Sequence, residues 1–295
     1  PYDGGGQIVG IADTGIDQGH PDFAGRIAGV VALGRPNDPS DPHGHGTHVA
    51  GSVAGDGTSS GGSIRGSAPG AKLFFQSVMD ANGGLGGLPF RLEDLFEEAF
   101  LEGVRIHNNS WGSTAASAYR LNSQEVDAFI DTHRDFLVVI SAGNEGTEAD
   151  PPLGVRNAPI GYVDWLSAGA PATAKNALTV GASRSTRAVG GYASLTYGQA
   201  WPAAFRNNPI AAELISGNPD AVAGFSSRGP CDDDRIKPDV VAPGTDILSC
   251  KSSKAPLRNF SGAHPTLAPY AFMGGTSMAA PLVSGCAAVV RQYYI

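Results

Sequence analysis

The chain has 295 residues, of which 41% are hydrophobic and 16% charged, with 41 glycines and 21 prolines. That length and apolar content suit one large or two ordinary globular domains rich in loops, not a disordered chain. Glycine lacks the every-third-residue period of collagen, no apolar run approaches the ~18 residues that span a bilayer, and no repeat of about 20 to 50 residues recurs, which excludes fibrous, membrane-spanning and solenoid architectures; a net charge of −8 without a Lys/Arg cluster argues against a nucleic-acid partner.

Residues 7–13 (QIVGIAD) form a short apolar run that stops at Thr14-Gly15, the pattern of a buried strand ending on a polar residue. Similar runs follow at 27–33, 72–78, 104–108, 136–141 and 177–182. They are mostly β-branched and continuously apolar, as strands covered on both faces require. Helical spacing separates them at 48–54, then at Leu92, Leu95, Phe96, Ala99 and Phe100, then at Val126, Phe129 and Ile130. A last helix is predicted over 278–290. Strands alternating with such helices give right-handed crossovers, hence an α/β fold of three layers, a mostly parallel sheet with helices on both faces. Ligands then bind beyond the carboxyl ends of the strands. Residues 147–173 and 189–224 lack sustained periodicity and are predicted to be long surface loops bordering a binding site.

Cys231, Cys250 and Cys286 cannot all pair, and none belongs to a CxxC arrangement. The 18 residues between Cys231 and Cys250 allow either one disulfide or two free thiols. Cys286 lies in a small-residue apolar run and is expected to be buried in packing.

Three polar residues flanked by small ones carry the chemical signal: Asp13 in ADTG, His45 in HGHGTHVAG and Ser277 in GGTSMAAP. A serine hydroxyl is a poor nucleophile unless an imidazole takes its proton and a carboxylate orients that imidazole. Ser277 precedes an apolar helical run, so its backbone N–H lies where a helix N-terminus favours a developing oxyanion. Asn144 in SAGNEG follows a predicted strand and offers a side-chain amide as second donor. Read alone, Asp13 is an ordinary turn aspartate and Ser277 an ordinary helix cap; the combination is what points to catalysis. His43, His45 and His48 lack the HExxH spacing of a zinc site, and Gly83, Gly84, Gly86 and Gly87 lack the lysine of a phosphate loop.

With Asp13-Thr-Gly, His45-Gly-Thr-His-Val-Ala-Gly and Gly275-Thr-Ser277-Met-Ala-Ala-Pro281 in that order, the chain resembles the subtilisin-like serine proteases, or subtilases. The likeness runs from about Gly6 to Tyr293, and the segments FFQSVMDANGGLGGLP, RIHNNSWG, FSSRGP and RIKPDVVAPGT look most like larger bacterial alkaline members that carry a C-terminal β-sandwich. It implies a subtilisin-like three-layer fold, a single catalytic domain over 1–295, and a secreted endopeptidase acting on protein or peptide substrates; nothing in the residues demands more than a monomer. By the same resemblance Asp13, His45 and Ser277 form the triad and Asn144 the oxyanion hole. Gly83, Gly84, Leu85, Ser110, Trp111 and Gly112 flank an extended substrate, and Ala142 and Gly143 complete a pocket open to a bulky apolar side chain. A pro-peptide or C-terminal domain belongs outside this chain, and because only 18 residues follow Ser277 the domain is expected to stop short of the family's full length. No cofactor is needed for the chemistry. A structural calcium is implied as an optional companion: Asp22 falls on a family calcium position, but the loop 57–63 does not match its companion, so no ligands are assigned. Met278 is expected to pack; an exposed thioether there would make activity sensitive to peroxide. Two other readings stay open: a processing protease with an acidic pocket and a non-catalytic subtilase-like fragment.

Overall fold

The structure, a computed structural model, describes residues 2–148 and 158–295. In chain order it contains β1 (Ile8–Asp13), β2 (Ile27–Ala32), α1 (His45–Ala54), β3 (Lys72–Ser77), α2 (Leu92–Leu101), β4 (Ile106–Asn109), α3 (Leu121–Thr132), β5 (Leu137–Ser141) and β6 (Leu178–Ser183). A short α4 (Tyr197–Ala200), strands β7 (Val240–Pro243), β8 (Ile247–Cys250), β9 (Gly262–Ala263) and β10 (Tyr270–Met273), and the long α5 (Thr276–Tyr294) follow.

Seven strands pair in the order β2-β3-β1-β4-β5-β6-β7, and every pairing is parallel. Alternate residues of each strand serve opposite faces. Val9, Ile11, Leu73, Phe75, Val139 and Val180 join Val49, Val53, Met278 and Ala279 of α1 and α5 in one core. Phe74, Val138 and Ile140 join Leu95, Phe96, Val126 and Phe129 of α2 and α3 in the other. The expected three-layer α/β architecture is therefore present, with α5 among the elements of the first core. Small residues let α5 approach closely: a Cβ at Gly285 would lie 2.1 Å from the Ser67 hydroxyl.

Strands β7 to β10 carried no clear sequence signal. Residues of β7 are largely exposed because it is an edge strand, and β8, β10 and β9 form a separate three-stranded antiparallel sheet of very short members. The segment 189–224 is not a plain surface loop. Thr196 and Gln199 form a capping box on α4, and the rings of Tyr197, Trp201, Phe205 and Phe225 contact one another beside the first core. Within 147–173, residues 149–157 lie outside the described residues; Ala170 pairs with Ser113 in an antiparallel bridge.

The cysteines correct one expectation. All three are free, Cys231 and Cys250 are buried, and Cys286 is exposed. It lies on the side of α5 that opens, with Ile130, Phe136 and Leu137, onto an apolar groove, so the small-residue run around it marks one packed face of α5 and not the whole circumference.

Phe205 is 2% exposed in the aromatic nucleus, whereas Phe90 is 99% exposed. Phe205→Ala should lower unfolding free energy by about 3 to 5 kcal/mol and Phe90→Ala by about 0.5 kcal/mol or less. Urea unfolding in a Ser277→Ala background measures both; equal effects would show that the 189–224 segment is not cooperatively packed.

Candidate active site

Parallel pairing places the ends of β1, β4 and β5 side by side, and the site grows from them. Asp13 ends β1, 2% exposed. Its Oδ1 accepts the Thr14 N–H at 2.7 Å and lies 2.7 Å from Nδ1 of His45, the first residue of α1. Thus Nδ1 is the protonated ring nitrogen and Nε2 is left as the acceptor.

A second buried carboxylate, Asp41, fixes this pairing. It accepts from the Thr14 hydroxyl at 2.9 Å, the Gly44 N–H at 2.8 Å, and the Thr47 N–H and hydroxyl at 2.8 and 2.7 Å. The Thr14 hydroxyl oxygen in turn accepts the Gly46 N–H at 2.9 Å. Gly44 supplies no side-chain cap, so Asp41 caps α1 from outside the helix. Only glycine fits at position 46, where a Cβ would lie 2.2 Å from the Gly15 carbonyl oxygen. Burial pushes the His45 pKa down, but the charge and hydrogen bond of Asp13, with the Asp41 charge behind, outweigh it and leave the value above 6.5. Burial pushes the Asp41 carboxyl up against the pull of its Thr47 and Gly44 donors.

Ser277 is the second residue of α5. Its hydroxyl donates to the Ser110 carbonyl at 3.0 Å, while the Ser110 hydroxyl donates to the Ser277 carbonyl at 2.9 Å. Behind this pair, Asn108 Nδ2 donates to Ser110 Oγ and Ser284 Oγ to Asn108 Oδ1, both at 2.9 Å. A chain of buried polar groups thereby ties β4 to α5. Asn144 Oδ1 accepts from the Thr276 N–H at 2.9 Å and the Thr276 hydroxyl at 3.2 Å. That assignment directs the carbonyl end of the amide to Thr276 and leaves its NH2 end as a donor.

Next to Ser277 and Asn144 opens a cavity of about 120 Å³ walled by Trp111, Gly112, Ser113, Ser141, Gly143, Glu145, Gly169 and Ala170. Its lining is small except for the Trp111 indole, which donates to the Ala12 carbonyl at 3.1 Å, and the Glu145 side chain. Glu145 Oε2 accepts from the Ser227 hydroxyl at 3.0 Å. Gly143, at φ +105°, adopts a conformation that favours glycine, and a Cβ there would lie 2.9 Å from the Ser227 hydroxyl.

A family model for the subtilase family matches residues 4–295. The chain belongs to the subtilase family. It is 30% identical over 98% of its length to the serine protease AprX of Bacillus subtilis, and 29% identical over its whole length to the serine protease/ABC transporter B family protein tagD of Dictyostelium discoideum. The chain spans 58% and 19% of those two relatives. A solved psychrophilic protease matches with a TM-score of 0.65 and 25% identity over 99% of this chain and 79% of the other.

In this subtilase the other residues singled out from sequence fall as follows. Ala142 is fully buried between the cavity-lining Ser141 and Gly143, and its carbonyl accepts the Gly169 N–H. Gly83, Gly84 and Leu85 lie outside the cavity, on the turn after β3, where Asp80 Oδ1 accepts the Gly84 N–H at 3.0 Å. His43 is exposed. His48 is fully buried, with Nε2 donating to the Ile247 and Ala271 carbonyls at 3.0 and 3.2 Å; burial, then the neighbouring His45 charge, push its pKa down to about 3. It ties α1 to β8 and β10. Met278 is 1% exposed, a packing residue. At Asp22 the donor set does not fit calcium: Oδ1 accepts the Ser59 N–H, Oδ2 accepts the Tyr270 hydroxyl, and the nearby metal-ligating groups are an imidazole and a thiol. Sequence reading missed Asp41, Asn108, Glu145 and Ser284, of which only Asp41, three residues before the helix N-cap, leaves a capping-like trace.

With Ser277→Ala protein, histidine NMR should place the His45 titration above pH 6.5 and leave His48 uncharged until about pH 3. Because a raised His45 holds its proton longer, the proton-accepting form is lost as pH falls through that higher value. Asp13→Asn should move the His45 midpoint down; an unmoved midpoint would mean that the Asp13 charge does not govern the ring.

Proposed function

We propose that the chain is a serine endopeptidase that cleaves peptide bonds through an acyl-enzyme on Ser277. The observation that carries this reading is the 2.7 Å Asp13–His45 pair at the end of β1, next to the end of β4 where the Ser277 hydroxyl bonds the Ser110 carbonyl. On substrate binding, the Ser277 hydroxyl exchanges the Ser110 carbonyl for His45 Nε2 and gives it the proton as Oγ bonds to the scissile carbonyl carbon. Asp13 stabilises the imidazolium, and the Asn144 amide and Ser277 N–H receive the oxyanion. His45 then returns the proton to the leaving amine. Water repeats the sequence on the acyl-enzyme, releasing the acid and restoring Ser277. The substrate lies extended between the exposed turn at Gly83, Gly84 and Leu85 and the stretch Ser110, Trp111 and Gly112, held by backbone hydrogen bonds with little sequence demand.

Small walls favour a broad preference for bulky apolar side chains before the cleaved bond. Glu145 favours a second reading, a protease that prefers a basic residue there, since this acid lines the cavity and makes no salt bridge among the described residues. Family resemblance supports secretion, and no helix among the described residues is long and apolar enough to cross a membrane.

A fluorophosphonate probe should label Ser277 alone, with labelling lost in Ser277→Ala; a folded protein that resists labelling would favour the non-catalytic alternative. Asn144→Ala should lower kcat by about 10²- to 10³-fold with little change in KM. Profiling on a peptide library should show apolar preference unaffected by Glu145→Gln. A basic preference that collapses in Glu145→Gln would establish the second reading.

A further inference from the structure

Away from the triad, three buried side chains bring unlike donor atoms together. His20 and Asp22 border the short 3-10 helix Pro21–Phe23, and Cys250 ends β8. They are 5%, 0% and 2% exposed, and their ligand atoms lie within 4.8 Å of one another. His20 Nδ1 is 3.9 Å from Asp22 Oδ1, and Cys250 Sγ is 3.7 Å from Asp22 Oδ2. A tetrahedral zinc ion with bonds of about 2.0 to 2.3 Å holds N and O about 3.3 Å apart and S and O about 3.6 Å apart. Closing the set around one ion takes a contraction of about 0.6 Å between His20 and Asp22 and a side-chain adjustment that brings Nδ1, Sγ and the carboxylate onto one centre.

Surrounding groups fit the same reading. His20 Nε2 donates to the Pro269 carbonyl at 3.0 Å, which fixes the tautomer that keeps a lone pair on Nδ1, as metal-bound imidazoles require. Among the described residues that lone pair meets the Asp22 N–H, at a long 3.2 Å. Asp22 is held from its outer side by the Ser59 N–H at 2.8 Å and the Tyr270 hydroxyl at 2.7 Å, leaving each oxygen a further lone pair. Ser59, whose backbone N–H bonds Asp22, also has its hydroxyl buried. His20 also borders a surface cleft with Asp17, Lys251 and Pro269, which gives an ion a way in.

We propose that His20, Asp22 and Cys250 form a binding site for a thiophilic divalent cation of the zinc class. Coordination replaces the Cys250 S–H bond by a sulfur–metal bond and releases that proton to solvent. The thiolate and carboxylate then balance the two positive charges of the ion, with His20 neutral, so the buried site carries no net charge. Such an ion would cross-link the segment after β1 and the end of β8. The inference stands independently of the peptidase reading.

The test uses the full chain with Ser277→Ala. Titration with cadmium should produce an ultraviolet thiolate-to-metal charge-transfer band that saturates at one equivalent. Zinc at about 100-fold over its Kd should raise Tm by about 5 °C or more, whereas calcium should not. Band and shift should survive Cys231→Ser and Cys286→Ser and vanish in Cys250→Ser. Should Cys250→Ser fail to fold, His20→Gln decides, with an expected loss in affinity of at least about tenfold. Absence of the band, its persistence in Cys250→Ser, or unchanged affinity in His20→Gln would overturn the proposal.

Discussion

Asp41 uses both of its buried oxygens on four hydrogen bonds, and those bonds join the end of β1 to the first turn of α1. Asp13 and His45 sit on the two pieces so joined, one residue from Thr14 and one from Gly44. Their 2.7 Å contact is therefore set by a carboxylate that touches neither of them. The arrangement carries a penalty, since two buried acids near one another raise the free energy of both charges. Donors from the Thr47 hydroxyl and the Thr47 and Gly44 N–H groups, at the helix start, offset it.

Around that clamp the parallel sheet supplies the remaining geometry. Strands β1, β4 and β5 end side by side, so Asp13, Ser110 and Asn144 face one region without any long loop to bring them there. Ser277 arrives from the opposite chemical direction, at the N-terminus of α5, and the Ser284–Asn108–Ser110 chain sets its height above β4. Positional precision here comes from buried polar bonds between core elements, while the loop residue Glu145 contributes to the cavity wall.

The sequence made the main strands legible because β1, β3 and β5 are covered on both faces and so are continuously apolar. It made Asp13, His45 and Ser277 stand out because each is a polar residue set among small neighbours. It could not reveal β7 through β10, whose few residues are exposed or very short. Asp41 and Ser284 were equally silent: their partners lie across the fold, and an aspartate or serine looks the same in a string whether or not it is buried. Cys286 misled because apolar neighbours along a helix do not say which side of it is covered. Residues 189–224 misled for a related reason, since an aromatic nucleus gathered from Tyr197, Trp201, Phe205 and Phe225 has no period.

Helix α5 lies against the sheet and α1, and its first turn carries Ser277. The most reactive atom proposed for the molecule thus sits on an element whose displacement would open the main core. Mobility that would misplace the hydroxyl is suppressed by the same contacts that hold the fold together. Loss of that hydroxyl's reactivity on heating would accordingly report collapse of the whole architecture, and not the loosening of a rim.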